Sequence, residues 1–259
     1  MPVDTSVIIP VRNGERFVAE AIGSVLPQLD PDDEILVVDD HSTDGTRAVL
    51  ATFTDPRLRP IEGNGKGVSA ARNIGIAASR GELIVFLDHD DLWMPGRHAA
   101  LRAVLRADAA LGAAFGRWRL LYEPGAERYA MDALDGSFVF QIGVGTFRRW
   151  AVERVGGFDE GMRVGEDVDL LVRLDEAAVP VRICDLETML YRRHRGNVSN
   201  DRATFRQAAL AVLRRRIRRR PAGSAPADDP FARASAQNLE LVRQTRERVK
   251  SARAETGNP

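Results

Sequence analysis

Three continuous apolar runs, each followed by a helical pattern, constrain the fold of this chain more than any other feature. The runs cover residues 6–11, 34–38 and 83–87. Since none of them alternates apolar with polar residues, each predicts a strand buried on both faces. After the first run, residues 17–26 place apolar side chains at helical spacing, and Pro27 ends that pattern.

The alternation of strand and helix continues through the first half. A short helix is predicted up to Phe53, a weaker strand at 58–61, an alanine-rich helix at 68–79 and another helix from Pro95 to residue 108. Such alternation favours right-handed crossovers and a mainly parallel sheet with helices on both faces. The predicted fold class is therefore α/β, with a Rossmann-like first half.

The second half is less regular. Helices are predicted at 148–155 and 166–177, and β-like segments at 181–184 and 188–191. From residue 203 a helix runs into an arginine-rich stretch, Arg214–Arg220, which a Pro/Ala/Asp linker and a polar helix at 231–253 follow. We therefore expect one catalytic domain over 1–200 and a helical extension over 201–259.

Composition restricts the class of protein and its surroundings. With 259 residues, 44% of them hydrophobic, the chain can bury one sizeable core. Lysine plus arginine number 37, as do aspartate plus glutamate, so the net charge favours no nucleic-acid partner. The single cysteine, Cys184, excludes an intrachain disulfide and a thiolate metal cluster, and it favours a reducing, cytoplasmic setting.

Two observations bear on membrane contact. No run reaches the ~18 apolar residues that span a bilayer, and the first residues lack a signal-peptide pattern, so we expect a soluble or peripheral protein. The Arg214–Arg220 run predicts docking on an anionic surface, such as the cytoplasmic leaflet of the inner membrane. A solvated helix end is the alternative, and homo-oligomerisation stays open.

Acidic residues follow two of the predicted strands. Asp39 and Asp40 end the second strand, and Asp88, Asp90 and Asp91 end the most apolar one. Because parallel strands bring their carboxyl ends to one edge, we expect these carboxylates in one crevice, where they need a cation. Hard oxygen ligands select Mg²⁺ or Mn²⁺. At any single position, ordinary turn chemistry of aspartate is the alternative.

Two common phosphate-binding motifs are absent. The turn after the first strand contains only Gly14, so the G-x-G-x-x-G fingerprint of dinucleotide-binding folds is missing there. Lys66 is followed by Gly67 instead of serine or threonine, which excludes a P-loop. The loop at 63–67 is either a flexible cover over a ligand or an ordinary polar turn.

Other candidates lie further along the chain. Glu166 and Asp167 open a helix, where the helix dipole is expected to lower the basicity of Asp167. Residues 191–195 form a basic cluster suited to a phosphate or a leaving diphosphate, or alternatively a solvated strand end. Trp93 either stacks on a sugar or packs in the core. We expect His41 and His98 to be structural or surface residues.

Four motifs in this order resemble the large inverting family of GT-A glycosyltransferases known as family two. They are SVIIPVRN, ILVVDDHSTDGT, GVSAARNIGIAASRGELIVFLDHDD and GGFDE followed by GEDVDLLVRL. The resemblance covers roughly residues 4–195. It implies a nucleotide-sugar half (1–110) and an acceptor half (111–200). It also implies that a sugar is transferred from a nucleotide diphosphate, which we predict to be uridine diphosphate. The transfer would be a direct displacement that uses a divalent metal, Mn²⁺ or Mg²⁺.

The resemblance also assigns roles to residues of this sequence. It implies that Asp167 is the catalytic base, and that His194 stands where some relatives place a further metal or diphosphate contact. The implied nucleotide-binding residues are Pro10, Val11, Arg12, Asp40, Arg72, Asp88 and His89. The implied metal ligands are Asp90, Asp88 and His194.

Departures from the family pattern limit the prediction. The Q-x-x-R-W motif of processive synthases is absent, which favours addition of one sugar per acceptor. Residues 117–146 match no motif, so the acceptor is unidentified. A nucleotidyltransferase is one alternative, although 11–14 is too poor in glycine and basic residues for it. An inactive sugar-nucleotide binding module is another, against which the intact Asp88, Asp90 and Asp167 argue.

Overall fold

A computed structural model describes residues 3–126 and 141–219 of this chain. Within them, eight strands form one sheet in the order β3-β2-β1-β4-β7-β6-β8-β5. The strands are β1 (Thr5–Val11), β2 (Glu34–Asp39), β3 (Leu58–Glu62), β4 (Leu83–Phe86), β5 (Leu92–Trp93), β6 (Ala113–Tyr122), β7 (Gly145–Arg148) and β8 (Val181–Arg193).

Helices flank this sheet and join many of its strands. They are α1 (Val18–Val25), α2 (Thr46–Leu50), α3 (Val68–Ala78), α4 (Arg97–Ala107), α5 (Arg149–Arg154), α6 (Glu166–Glu176) and α7 (Arg202–Arg219). Among the residues that the structure describes, none of the helices is long and apolar enough to cross a membrane.

The first half is the predicted parallel sheet. Strand β1 pairs in parallel with β2 and β4, and β2 pairs in parallel with β3. Every residue of β1, β2 and β4 is buried, which is the physical reason that their sequences are apolar without alternation. The α/β class and the strand and helix order of this half are confirmed.

The second half differs from the prediction. Strand β7 runs antiparallel to both β4 and β6, and β6 itself was not predicted. The two segments expected at 181–184 and 188–191 form one strand, β8. Arg117 and Arg119 of β6 pair with Asp185 and Glu187 of β8, so cross-strand ion pairs stabilise the polar stretch that looked like a break.

Helix α7 confirms the helix predicted from residue 203 and packs on the body of the protein. Its Val212 joins a small apolar cluster with Met162 and Val172. The predicted linker at 221–230 and the predicted helix at 231–253 lie outside the described residues. The domain division at residue 200 stays a prediction.

Candidate active site

One cleft of about 850 Å³ opens beyond the carboxyl ends of β1 and β4. It brings together every residue to which the family resemblance assigned a role in nucleotide binding, metal binding or catalysis. These are Pro10, Val11, Arg12, Asp40, Arg72, Asp88, His89, Asp90, Asp167 and His194. Residues from both halves of the chain therefore meet at one site, although their individual roles stay predictions.

The turn after β1 shapes the floor of the cleft. Asn13 adopts a left-handed conformation, with φ of 53°, and its side chain accepts a hydrogen bond of 2.8 Å from the Thr43 amide. A Cβ atom at Gly14 would lie 2.6 Å from the ring of His89, so this position requires glycine. The turn thereby lets His89 approach the backbone closely.

Asp40 holds the glycine loop at the cleft's edge. Its two carboxylate oxygens accept hydrogen bonds of 2.7 Å from the Gly65 amide and 2.8 Å from the Gly67 amide. Asp39, which we expected in the same crevice, instead binds the Ser42 amide and the Arg47 guanidinium and does not line the cleft. Turn chemistry therefore accounts for Asp39, and the loop is tethered.

Arg72 links the two acidic motifs of the cleft. Its Nη2 donates to Asp88 at 2.6 Å and its Nη1 donates to Glu166 at 2.7 Å. The guanidinium is buried and also lies over the ring of Phe158, 5.2 Å from its centroid. Burial lowers the pKa of Arg72, but the charges of Asp88 and Glu166 outweigh it and raise the net pKa. Both terminal nitrogens are thus engaged in positioning carboxylates.

Asp90 and His194 face each other across the cleft. His194 Nε2 lies 3.0 Å from Asp90 Oδ2, and the Gly196 amide donates to His194 Nδ1 at 3.1 Å. Because Nδ1 accepts that bond, the ring proton belongs on Nε2, which then donates to Asp90. Burial raises the pKa of Asp90, but several effects, of which the hydrogen bond from His194 is the largest, bring it below its ordinary value.

The donor set can be tested against a divalent ion. No described side chain donates to Asp88 Oδ2 or to Asp90 Oδ1, which suits a hard ion completed by waters and phosphates. Within 3–126 and 141–219, no three His, Cys, Asp or Glu side chains converge on a common point. The two carboxylates are suitable ligands for Mg²⁺ or Mn²⁺, whereas His194 is placed to act as a hydrogen-bond donor.

Arg192 is structural, contrary to the prediction of a basic cluster over residues 191–195 that binds phosphate. Its side chain is buried and donates to Glu123 at 2.5 Å and to Glu20 at 2.6 Å. Its amide donates to Asp91 at 2.8 Å, and its Nε donates to the Asp90 carbonyl at 2.8 Å. Arg192 therefore fastens β8 to the turn that carries the aspartates.

Asp167 contributes a carboxyl group of raised pKa to the cleft. It opens α6, and burial followed by the charge of Glu166 raises its pKa to about 7, although Arg72 opposes the shift. The expectation that the helix dipole lowers its basicity is wrong, because desolvation and a neighbouring carboxylate outweigh a dipole effect of about 1 kcal/mol. A carboxylate of this kind can exchange a proton near neutral pH.

Several cleft residues had no signal in the sequence. They come from β6, from the segment before β7 and from the loop before α6, and they are Trp118, Leu120, Gln141, Arg163 and Val164. Trp118 could have been found only by knowing that β6 forms. Trp93 packs in the core against His98, which binds Asp33 at 3.0 Å, and His41 is exposed, so these three are structural or surface residues.

The sequence profile described as Glycosyl transferase family 2 matches residues 6–219, most of the chain. This chain belongs to that family. A curated relative from Escherichia coli, UDP-Glc:alpha-D-GlcNAc-diphosphoundecaprenol beta-1,3-glucosyltransferase, is 38% identical over 93 residues, which are 36% of this chain and 37% of the relative. The chain spans only 30 to 37% of three such family 2 relatives.

Solved structures of GT-A transferases show the same fold. The mannosyltransferase PcManGT from Pyrobaculum calidifontis, in complex with GDP-Man and Mn²⁺, has a TM-score of 0.69 at 22% identity and covers 100% of this chain and 76% of its own. S. aureus TarS in complex with UDP-GlcNAc has a TM-score of 0.64 at 18% identity, covering 81% and 66%. These likenesses show the GT-A fold, and the family assignment argues against the nucleotidyltransferase alternative.

Proposed function

We propose that this chain moves one sugar from a uridine diphosphate sugar to an acceptor hydroxyl by a single displacement that inverts the anomeric carbon. The observation that carries the proposal is Asp167, a carboxyl group with a pKa of about 7 in the same cleft as Asp88 and Asp90. Such a displacement requires a group that accepts the proton of the hydroxyl and a site that stabilises the leaving diphosphate, for which the acidic end of the cleft can bind a metal.

The displacement uses Asp167 as base. The acceptor oxygen forms a bond to the anomeric carbon while the bond from that carbon to the diphosphate oxygen breaks. The hydroxyl proton passes to the Asp167 carboxylate, and the diphosphate leaves with the electron pair. A base whose pKa lies near the working pH combines a high ionised fraction with a useful affinity for the proton, and general-base catalysis contributes about 10²- to 10⁴-fold.

The donor diphosphate belongs at the acidic end of the cleft. Asp88 and Asp90 would hold Mg²⁺ or Mn²⁺, which when bound neutralises charge on the leaving diphosphate. The exposed guanidinium of Arg12 adds a donor there. We assign the nucleoside to the floor formed by Pro10, Val11 and the Asp40-tethered loop.

The carrier nucleotide is assigned from relatives. The Escherichia coli relative is named for UDP-Glc, and TarS is in complex with UDP-GlcNAc, whereas PcManGT is in complex with GDP-Man. The curated relative is the most similar of the three in sequence, so we propose uridine. Leu120 and Tyr191, which also line the cleft, offer apolar surface on which an acceptor sugar could lie.

Release of uridine diphosphate tests the proposal. The protein is incubated with a panel of UDP- and GDP-sugars, MnCl₂ and a cell-extract acceptor, and the anomeric configuration of the product is determined by NMR. We expect nucleotide release with UDP-sugars and an inverted product. Asp167→Asn should abolish release, while Asp185→Asn, a control at an exposed position of β8, should not. A product with retained configuration would overturn the mechanism.

A further inference from the structure

Helix α7 presents one face to the cleft. Ala208 and Val212 on that face are buried and line the cleft wall beside α6. A Cβ atom at Gly165, the residue before α6, would lie 3.1 Å from Ala208, so the two helices are in close contact. The inner face of α7 is therefore part of the site.

Arginines on the same side fix how α7 is rotated. Arg215 binds Asp159 at 2.7 Å, and Arg219 binds Glu176 at 2.8 Å and Asp169 at 3.0 Å. The side chains of these ion pairs are at most 38% exposed, and the three bonds act together. These arginines of the predicted polybasic run consequently face the protein, which the run's sequence does not reveal.

The opposite face of α7 combines large apolar residues with arginines. Leu210, Leu213 and Ile217 are 52%, 52% and 61% exposed, and Arg214 and Arg218 beside them are exposed as well. At 3.6 residues per turn, Leu210, Leu213, Arg214 and Ile217 lie on the side of the helix opposite Ala208 and Val212, and Arg218 lies at the edge of that side. We call these five residues the outer face of α7.

We propose that the outer face of α7 docks on the anionic surface of a phospholipid bilayer. Aliphatic side chains enter the boundary between headgroups and acyl chains, while the arginines beside them bind lipid phosphates. A second copy of the chain fits less well, because a symmetric contact through this face would bring Arg214 and Arg218 against their own counterparts. A bilayer instead offers negative charge beside an apolar layer.

Docking of this kind would hold the cleft at the membrane surface. The residues that line the cleft and those that contact lipid lie on opposite sides of one helix, about 10 Å apart at most. An acceptor carried on a lipid would then meet the cleft along α7. The proposal concerns binding alone, so it stands or falls independently of sugar transfer.

Co-sedimentation with vesicles tests the proposal on the full chain. The vesicles consist of phosphatidylcholine alone or with phosphatidylglycerol. We expect binding that depends on phosphatidylglycerol and weakens with salt. Arg214→Gln together with Arg218→Gln should lower the partition coefficient about 30-fold. Ile217→Glu should lower the partition coefficient about tenfold or more, since a charge replaces an aliphatic group that enters the bilayer on docking.

Matched controls separate the face from general effects. Ile183→Glu makes the same change at a 43% exposed position of β8, and Arg154→Gln removes an exposed charge from α5. Both should bind vesicles like the unaltered protein. Equal binding of Ile217→Glu and Ile183→Glu would overturn the proposal. The proposal would also be overturned if the unaltered protein did not bind anionic vesicles and formed, in analytical ultracentrifugation, a dimer that Ile217→Glu dissociates.

Discussion

Arg72 and Glu166 form a buried ion pair at 2.7 Å between residues 94 positions apart in the chain. The pair joins α3, in the nucleotide half, to the first turn of α6. Through its other terminal nitrogen Arg72 also holds Asp88, so one guanidinium sets the spacing between the acidic end of the cleft and the base. Removing either partner would leave a buried charge, which costs about 3–5 kcal/mol.

This pair leads to a prediction about the pH dependence of transfer. The charge of Glu166 raises the pKa of Asp167, and that of Arg72 lowers it. Asp167 must be ionised to accept a proton, so kcat/KM should fall as the pH drops below about 7. In Glu166→Gln the raising charge is gone, and the acid limb of the profile should move to lower pH.

Glu160→Gln is the control for this experiment. Glu160 is exposed and binds Asn73, so the same chemical change there should leave the acid limb in place. A Glu166→Gln profile that coincides with that of the unaltered enzyme would show that Asp167 does not control the acid limb.

The sequence indicated the parallel half of the fold because β1, β2 and β4 are buried on both faces and their apolar runs report that burial directly. It did not indicate β6, whose residues are only partly buried and whose polar members are stabilised by β8, some 70 residues away. Local patterns carry no information on such pairing, since the ion pairs of Arg117 and Arg119 exist only after the chain has folded.

The same difference between local patterns and contacts of distant segments applies to the candidate site. Motifs placed Asp88, Asp90 and Asp167 in one cleft, because strand ends and helix starts are visible in sequence. The actual partners were not visible: Asp40 binds backbone amides, Arg72 binds two carboxylates, and burial determines the pKa of Asp167. Each of these depends on contacts between distant segments, which fix desolvation and charge.

A second prediction concerns the stability of Asp167→Asn. The folded-state pKa of Asp167 is raised to about 7, so its contribution to stability is present at low pH and is lost as the pH rises towards 7. Asparagine abolishes this dependence. At pH 8 the variant should therefore be more stable by roughly 4 kcal/mol, and at pH 4 nearly equal in stability to the unaltered protein. Thermal unfolding at both pH values measures it. A lower melting temperature at pH 8 would contradict it.

Metal removal gives a third prediction. Asp88 and Asp90 repel each other unless a cation or a proton intervenes, so excess chelator should abolish transfer and MnCl₂ or MgCl₂ should restore it. Asp90→Ala should weaken the binding of uridine diphosphate far more than that of uridine, because the nucleoside does not contact the ion. Calorimetric titration of both ligands, with and without MnCl₂, measures this difference. Full activity in chelator would contradict the assignment.

A fourth prediction distinguishes the two roles considered for His194. Glutamine at this position retains an N–H donor that can reach Asp90 but lacks a nitrogen lone pair. If His194 only donates to Asp90 or the diphosphate, His194→Gln should leave the half-saturating MnCl₂ concentration nearly unchanged, whereas His194→Ala should raise the KM for the donor. If the ring instead adopts its other tautomer and binds the ion, glutamine should raise the half-saturating MnCl₂ concentration by about 10- to 100-fold. The Gly196 amide, which donates to Nδ1, favours the first outcome.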